Sequence, residues 1–221
     1  MKEKIYVHVA DDHKILIEGI IAVLNTDKDI EIKGYSLTGE AVIDWFGKKE
    51  NTADVLILDI TMPGLDGFDV LKYFKKKKLD QKVIILSSYD DLKIVQEVLS
   101  LGCKGYISKS SAGEHIVSAI KAVAKGEQYF STDIQSMLLK SISGQMVAQG
   151  NVPDKFLLDR LSERELDVLK LITKEYSTIE MADLMNLSVN TVETYRKRLL
   201  KKLNVKNAVG LAMYAVKNKI V

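Results

Sequence analysis

The sequence predicts an α/β fold followed by an all-α fold: a doubly wound parallel sheet of five strand–helix units, then a small domain of four helices. Over the first 125 residues, short β-rich runs alternate with stretches of helical spacing, which is typical of a parallel sheet covered on both faces. Two of the runs contain VLIL and VIIL, which are fully apolar, as expected of strands buried on both sides. From Leu161 onward the pattern is helical only.

The five predicted strands are separated by five stretches with helical spacing. The strands are IYVHVA (5–10), IEIKGY (30–35), DVLILD (54–59), KVIILSS (82–88) and GYIS (105–108). The helices cover residues 15–24, 41–46, 70–74, 92–101 and 116–123. Gly102 and Gly126 follow helical patterns and indicate helix ends.

The predicted domains are 1–126, the α/β domain, and 159–221, the helical domain, joined by a partly helical linker over 127–158. In the linker, STDIQSMLLKSI favours a helix, and GQMVAQGNVPDKF is polar, with two glycines and a proline. We expect the flexible part near 144–155. The helical domain has well-marked helix starts: Ser162 with Glu165, and Ser177 with Glu180, form capping-box patterns, Ser188 caps a third helix, and a fourth covers 207–217.

Composition indicates an ordinary globular protein: 221 residues, 47% hydrophobic, 28% charged and one cysteine. No apolar run approaches the ~20 residues that span a bilayer, and the acidic start lacks the apolar core of an export signal. We therefore expect a cytoplasmic protein without membrane association. From Val189 onward, eight Lys/Arg stand against one Asp/Glu, which suggests a polyanionic partner; a solvated helix face is the alternative.

Polar residues follow four of the five predicted strands. In a doubly wound sheet, sites form beyond the carboxyl ends of the strands, so these residues should converge at one edge. They are Asp11 and Asp12 after the first strand, Asp59 after the third, Ser87 and Ser88 after the fourth, and Lys109 after the fifth.

Three neighbouring carboxylates repel unless a cation compensates, and a hard divalent ion such as Mg²⁺ does so while leaving room for a phosphate oxygen. Asp59 could then attack phosphorus as a nucleophile, and Lys109 and Ser87 could bind the phosphoryl oxygens. Taken singly, each residue has a simpler explanation: Asp12 as a helix cap, Ser87 as a strand-end hydroxyl, Lys109 as a surface lysine and Asp59 as a turn residue.

Residues 4 to about 125 resemble a response-regulator receiver domain of two-component signalling, of the flavodoxin/CheY-like fold. The resemblance lies in ADD (10–12), LDITMPGLDG (58–67), VIILSS (83–88) and GYISK (105–109). It implies that Asp59 takes a phosphoryl group from a sensor histidine kinase. It further implies that Mg²⁺ is held by Asp11, Asp12, Asp59 and the backbone carbonyl of Thr61. Ser87 and Tyr106 would be switch residues, Lys109 would bind phosphate, and Thr61 and Tyr89 would tune the lifetime of the phosphate.

An enzyme is the main alternative for this half of the chain. Phosphatases of the haloacid-dehalogenase type are similar but need a second acid two residues after the nucleophile, where this chain has Thr61. We therefore expect no activity beyond self-phosphorylation from a kinase or small phosphodonor and slow loss of the phosphate. His8, His13 and His115 show no metal-ligand spacing, and His8, within a strand pattern, is expected to be structural.

The third helix of the small domain has an apolar stripe and a basic outer face. Val192, Tyr195, Leu199, Leu200 and Leu203 form the predicted buried stripe. A short helix, a tight connection and a helix with cationic surface suit insertion into the major groove of double-stranded DNA. Without further signals, a protein-docking or merely soluble helix would explain the same pattern.

Residues 161–219 also resemble a LuxR-type helix-turn-helix domain, in LSERELDVLKLI, IEMADLMNLSVNTVETY and LLKKLNV. With a receiver in front, the arrangement is similar to the NarL/FixJ subfamily. The resemblance implies base contacts by Glu193, Thr194 and Lys197, and further DNA contacts by Asn190, Thr191, Lys201 and Lys202. The chain departs from the family's usual residues at Glu175, Thr178 and Ile179, and an acidic Glu193 would select cytosine if it reads a base.

The favoured hypothesis is a transcription factor switched by phosphorylation, in which phosphate on Asp59 promotes a homodimer or releases the small domain. RNA polymerase is a further candidate partner. The last helix carries Leu211, Ala212 and Ala215, which would either join a DNA-bound dimer or close the small core. Two rival hypotheses are an interaction protein that binds no specific DNA and a DNA-binding regulator that ignores phosphate.

Overall fold

A computed structural model gives the fold, and it describes residues 4–143 and 154–220. The chain divides into two compact units, Met1–Val152 and Pro153–Val221. The flexible segment predicted near 144–155 lies almost entirely outside the described residues.

The first unit is built on a parallel sheet with the strand order β2-β1-β3-β4-β5-β6. The strands are β1 (Ile5–Ala10), β2 (Ile30–Ser36), β3 (Val55–Asp59), β4 (Lys82–Ser87), β5 (Gly105–Ser108) and β6 (Tyr129–Phe130). The order reverses at β1, which makes the sheet doubly wound and confirms the predicted fold class. The sheet has one more strand than the five predicted, because β6 pairs in parallel with β5.

Helices cover both faces of this sheet. They are α1 (Lys14–Leu24), α2 (Gly39–Phe46), α3 (Gly67–Lys77), α4 (Leu92–Ser100) and α5 (Ala112–Ala124), with a single 3₁₀ turn at Lys109–Ser111 before α5. Every residue of β3 is buried, as its apolar run predicts for a central strand. One face of the sheet packs on α1 and α5 through Ile17, Ile20, Ile116 and Ile120.

The segment after α5 contains the predicted helix and a short strand that was not predicted. Tyr129 and Phe130 extend the sheet at β5, and α6 (Thr132–Ile142) follows them. Ile134 of α6 is fully buried, and so is the side chain of Ser131, whose hydroxyl accepts a hydrogen bond from the Ser108 amide at 3.3 Å. A two-residue strand is too short to show alternation, which is why the sequence pattern missed it.

The second unit consists of α7 (Asp154–Asp159), α8 (Glu163–Thr173), α9 (Thr178–Met185), α10 (Val189–Lys202) and α11 (Ala208–Lys217). Both predicted capping boxes form: Ser162 with Glu165 at the start of α8, and Ser177 with Glu180 at the start of α9. The additional helix α7 lies in the predicted linker, yet its Phe156 is buried. The core of this unit includes Val168, Met181, Val192, Leu199 and Leu211.

Among the described residues, none of the helices has the length and apolar character needed to cross a membrane.

Candidate functional site

Four loops at one edge of the sheet bring the predicted site residues together. Asp11 follows β1, Asp59 ends β3, Ser87 ends β4 and Lys109 follows β5. The register places these ends side by side, since Asp59 pairs with Leu86 and Ser87 pairs with Ser108. Asp11, Asp59 and Ser87 are buried at this edge, so three polar side chains lie under the surface at the carboxyl ends of parallel strands.

The loop after β3 holds Asp59 by a close backbone approach. The amide of Gly67 donates to the carbonyl of Ile60 at 3.0 Å, folding the loop back on the strand end. A Cβ at Gly67 would lie 2.4 Å from the carbonyl oxygen of Asp59, which no side chain tolerates. Asp66, fully buried, caps α3 by accepting from the amide of Asp69 at 3.0 Å. Asp66 and Gly67 of the motif PGLDG therefore hold the start of α3 close to the backbone of Asp59.

Lys109 bridges two of the carboxylates. Its ammonium lies 2.7 Å from Asp11 Oδ2 and 2.9 Å from Asp59 Oδ2. Burial lowers the pKa of Lys109, but the facing carboxylates of Asp59 and Asp11 outweigh it and hold this pKa above its usual value. The lysine is therefore charged and directed into the cluster, where it can bind an anionic oxygen near Asp59.

Asp59 is fully buried, and burial raises the pKa of its carboxyl, with Lys109 opposing this rise and Asp11 adding to it. The Thr61 hydroxyl donates to Asp59 Oδ2 at 3.1 Å, a contact that the sequence analysis did not predict. The other carboxylate oxygen of Asp59, Oδ1, is buried and has no hydrogen-bond partner among the described residues. A cation or a water molecule at this position would satisfy such an oxygen.

The predicted switch residues Ser87 and Tyr106 are connected through Tyr89. Tyr106 is fully buried, and its hydroxyl donates to the carbonyl of Tyr89. The amide of Tyr89 in turn donates to the hydroxyl of Ser87 at 3.1 Å. Burial raises the pKa of Tyr106, so it stays a neutral donor. Ser87, Tyr89 and Tyr106 are thus linked, and a displacement of Ser87 would alter the contacts of Tyr106.

The carboxylates could hold a divalent ion, and a histidine joins them. One ligand atom each from Asp11, Asp12, His13 and Asp59 lies within 4.8 Å of all the others. Carboxylate oxygens around a single point are the donor set of a hard divalent ion, so the residues fit such an ion. The sequence analysis did not predict His13 as a ligand, because the three histidines show no metal-ligand spacing among themselves. The feature that points to His13 is its position directly after Asp12.

A second candidate site is the outer face of α10. Asn190, Thr194, Lys197 and Lys201 are exposed there, and Thr191 is half-buried. Val192, Leu199 and Leu203 are buried beneath this face, and Tyr195 and Leu200 pack against the same core, as the predicted stripe requires. Polar and cationic groups are thus presented on one side of a rigid helix.

Glu193, predicted to contact a base, is held by neighbours in the structure. Its Oε1 accepts from the hydroxyl of Thr178 at 3.0 Å and from the guanidinium of Arg196 at 3.2 Å. The same guanidinium also donates to Thr178. We call this group of Thr178, Glu193 and Arg196 the helix clamp, since it ties the first turn of α9 to α10. One of the two carboxylate oxygens of Glu193 is therefore already engaged within the protein.

Lys202 was predicted to contact DNA, and the structure contradicts this. Its side chain is only 3% exposed, and its ammonium lies 3.0 Å from Glu165 Oε2 and donates to the carbonyl of Arg160 at 2.7 Å. The position falls on the buried side of α10, where a carboxylate from α8 compensates its charge. Lys202 therefore joins helices within the unit, and its neighbour Lys201 remains exposed.

The last helix resolves an alternative that the sequence left open. Leu211 and Ala215 of α11 are buried, so they close the core of the second unit. The exposed apolar residues of α11 are instead Val209, Met213 and Val216, at 67%, 69% and 63% exposure. Their spacing of four and three residues puts them on one face of the helix, which we call the α11 stripe.

Comparison with known families identifies the class of each unit. Residues 7–121 match the response regulator receiver domain, and residues 159–215 match the bacterial regulatory proteins of the luxR family. A receiver domain followed by a LuxR-type helical domain defines a two-domain response regulator. The chain belongs to the response regulators, and the NarL/FixJ-type arrangement recognised in the sequence is confirmed.

Relatives and solved structures align with nearly the whole chain. Response regulator UvrY of Escherichia coli (strain K12) is 33% identical over 215 residues, covering 97% of this chain and 94% of UvrY. Oxygen regulatory protein NreC of Staphylococcus carnosus is 33% identical over 217 residues, covering 96% and 97%. The RcsB response regulator of Salmonella typhimurium has 28% identity and a TM-score of 0.58, over 98% of this chain and 100% of RcsB.

A further solved structure is described as RcsB from Salmonella enterica serovar Typhimurium bound to promoter P1flhDC in the presence of the phosphomimetic BeF3−. It has 29% identity and a TM-score of 0.58, over 96% of this chain and 98% of that one. The similarity to RcsB thus extends through both units.

Proposed function

We propose that the protein is a transcription factor whose receiver accepts a phosphoryl group on Asp59 from a sensor histidine kinase. The observation that carries the proposal is the buried Asp59 carboxylate, with the Lys109 ammonium 2.9 Å away and a second acid, Asp11, on the same lysine. An Asp59 oxygen forms a bond to phosphorus while the phosphorus–nitrogen bond of the kinase's phosphohistidine breaks, which leaves an acyl phosphate. Lys109 and Ser87 then bind the phosphoryl oxygens.

Mg²⁺ is the ion that we propose for this site, held by Asp11, Asp12, Asp59 and the backbone carbonyl of Thr61. The bound ion supplies positive charge that offsets the carboxylates and the phosphoryl oxygens. Asp11 and Asp59 are both buried and acidic, and Asp59 Oδ1 has no partner among the described residues, which supports a cation at this position.

We propose no turnover of a separate substrate at this site. Thr61 occupies the position where a phosphatase of the haloacid-dehalogenase type has its general acid, and its hydroxyl donates to Asp59 itself. A threonine hydroxyl is a poor proton donor to a leaving group, so we propose only self-phosphorylation and slow loss of the phosphate. The phosphate then persists as a signal.

Double-stranded DNA is the proposed partner of the second unit. Asn190, Thr191, Thr194, Lys197 and Lys201 present hydroxyl, amide and ammonium groups on the outer side of α10. Polar groups near the start of such a helix suit base edges, and cations further along suit phosphates. The described complexes of RcsB with DNA support the same use of the equivalent unit. RNA polymerase would be a further contact where a gene is activated, and DNA binding would place the protein in the cytoplasm.

A homodimer on DNA is the proposed active form. The α11 stripe leaves three large apolar side chains exposed on one face of a helix. A twofold pairing of this face would bury them and would link two α10 helices, so that paired half-sites are bound with gain in avidity. The structure described as two RcsB dimers on parallel DNAs supports a dimer in the family.

Phosphorylation is tested by incubating the protein with acetyl phosphate and Mg²⁺ and measuring its intact mass. We expect the gain of one phosphoryl group, its absence in Asp59→Asn, and its retention in Asp44→Asn, which alters an exposed aspartate away from the site. A gain that persists in Asp59→Asn would contradict the assignment.

DNA binding is tested by selecting sites from a random duplex library and titrating the best one against salt. We expect the affinity to fall steeply with salt and to rise on phosphorylation. Absence of salt-dependent binding in both states would favour the interaction-protein hypothesis, and equal affinity in both states would favour a regulator that ignores phosphate.

A further inference from the structure

The carboxylate cluster contains a ligand that a magnesium site does not need. The imidazole Nδ1 of His13 lies 3.1 Å from Asp11 Oδ1 and 2.9 Å from Asp12 Oδ1. The amide of His13 also donates to Asp11 Oδ1 at 2.9 Å, so the backbone holds the residue at the cluster. The His13 side chain is 68% exposed, and the residue immediately precedes α1.

Lys109 and His13 engage different oxygens of the cluster. The ammonium contacts the Oδ2 atoms of Asp11 and Asp59, whereas the imidazole contacts the Oδ1 atoms of Asp11 and Asp12. Asp59 is fully buried, and its Oδ1 has no hydrogen-bond partner among the described residues. One ion can therefore bind the imidazole nitrogen and several carboxylate oxygens while Lys109 keeps its contacts.

The hydrogen-bond distances between His13 and the two carboxylates also match the spacing of ligands around an ion. Ligands about 2.1 Å from a metal, at right angles to each other, are about 3.0 Å apart. The separations of Nδ1 from the two Oδ1 atoms are 3.1 Å and 2.9 Å. One ligand atom from each of Asp11, Asp12, His13 and Asp59 lies within 4.8 Å of the rest, so a modest contraction would enclose an ion.

The donor set decides which ion this is. Mg²⁺ takes oxygen ligands, whereas imidazole suits first-row transition ions, for which affinity at nitrogen-containing sites rises toward the later members of the row. We propose that His13, with the carboxylates of Asp11, Asp12 and Asp59, binds a transition ion of the Co²⁺ or Zn²⁺ class, in competition with Mg²⁺. Such an ion would occupy the carboxylate that accepts the phosphoryl group, which gives the receiver a second chemical input.

Binding of Co²⁺ to the full-length protein tests this, because its visible absorption changes when nitrogen replaces a water ligand. We expect saturable binding of one ion, with a dissociation constant at least about tenfold larger in His13→Ala, since even indirect partners of metal ligands change affinity 10–100-fold. Isothermal titration should show a change of less than about twofold for Mg²⁺ in the same variant. His115→Ala is the matched control, since this histidine hydrogen-bonds to Tyr129 between α5 and β6.

The outcomes separate this inference from the magnesium site, on which it builds. If the protein binds Mg²⁺ and if wild type and His13→Ala bind Co²⁺ equally well, the proposed role of His13 is overturned and the magnesium site is not. Equal losses of Co²⁺ and Mg²⁺ affinity in His13→Ala would also overturn it, because they would reflect misplaced carboxylates. A measurement without substitution is nitrogen NMR of the wild-type imidazoles with Zn²⁺: the His13 ring resonances should shift and those of His115 should not, and the reverse would contradict the proposal.

Discussion

Burial acts in opposite directions on two titratable side chains of the receiver. It raises the pKa of Asp59, where the charged form is anionic, and lowers the pKa of His8 to about 4, where the charged form is cationic. Asp59 has the Lys109 ammonium beside it to offset the cost. His8 instead meets the neutral hydroxyl of Ser36, at 2.8 Å, and the rings of Trp45 and Phe46, at 4.1 and 5.7 Å between centroids. The same physical effect therefore disfavours the charged form of both side chains, and Asp59 differs in having an opposite charge beside it.

The receiver should lose stability in mild acid because of His8. The unfolded chain binds a proton near pH 6.5, while the folded state resists protonation until about pH 4. The contribution of His8 to the free energy of unfolding is therefore complete above about pH 6.5 and declines by about 3 kcal/mol as the pH falls to about 4.

Urea unfolding followed by the fluorescence of Trp45, the single tryptophan of the chain, measures this loss where it occurs. His8→Gln, which stays neutral, should show a shallower decline between these pH values, whatever its stability at pH 7. Parallel declines in the two proteins would contradict a buried, neutral His8.

Substitution of two adjacent lysines of α10 should affect different properties: Lys202 the stability of the unit, and Lys201 the binding of DNA. Replacing Lys202 by Met leaves the buried Glu165 without its cationic partner, which should cost about 3–5 kcal/mol of folding free energy in the second unit. Replacing the exposed Lys201 by Met should change stability by less than about 0.5 kcal/mol and reduce the salt dependence of DNA binding by about one phosphate contact.

Far-UV circular dichroism during urea unfolding reports the helices of both units, whereas Trp45 fluorescence reports the receiver alone. A loss of ellipticity without a change in fluorescence therefore belongs to the second unit. Two equally stable variants would show that Lys202 is not compensated inside the fold.

The helix clamp joins α9 to α10, and it predicts how Glu193 affects the preferred DNA sequence. If Glu193 positions α10 and reads no base, sites selected from random DNA by Glu193→Ala should keep the wild-type preference at every position. Stability of the unit should fall by about 0.5–1 kcal/mol, and the combination with Thr178→Val should be non-additive because both residues share one set of hydrogen bonds.

Thr194→Ala provides the comparison, since Thr194 is exposed on the same helix and should relax the preference at one base pair. A preference relaxed by Glu193→Ala at a single C·G pair would show instead that the carboxylate leaves the clamp and reads cytosine.

Elements with strong local signals were predictable, and those that depend on distant partners were not. The capping boxes at Ser162 and Ser177 form as predicted because their partners lie three residues away. By contrast, β6 exists because Tyr129 meets Gly105, and the ion pair of Lys202 depends on Glu165, 37 residues earlier. The carboxylate edge was predictable for another reason: parallel strands bring their ends together whatever the loops contain.

At the scale of the whole molecule, the proposed dimer depends on the α11 stripe. Met213→Asp places a charge in the middle of this face, 69% exposed in the single chain, so the fold should be preserved. Affinity for DNA with one half-site should stay the same, and affinity for paired half-sites should fall at least about tenfold as avidity is lost. Sedimentation of the phosphorylated protein on both DNAs gives the stoichiometry; two copies of the variant on paired sites with unchanged affinity would place the dimer contact elsewhere.

The short strand β6 also determines where the receiver can be cut from the rest of the chain. A fragment ending at residue 126 would expose the backbone of β5 as an open sheet edge and would remove Ile134 from the hydrophobic surface that it covers. Open edges of this kind pair with other chains, so we expect this fragment to aggregate during expression. A fragment ending at residue 143 retains β6 and α6 and should stay monodisperse in size-exclusion chromatography, which makes α6 part of the receiver as a folding unit.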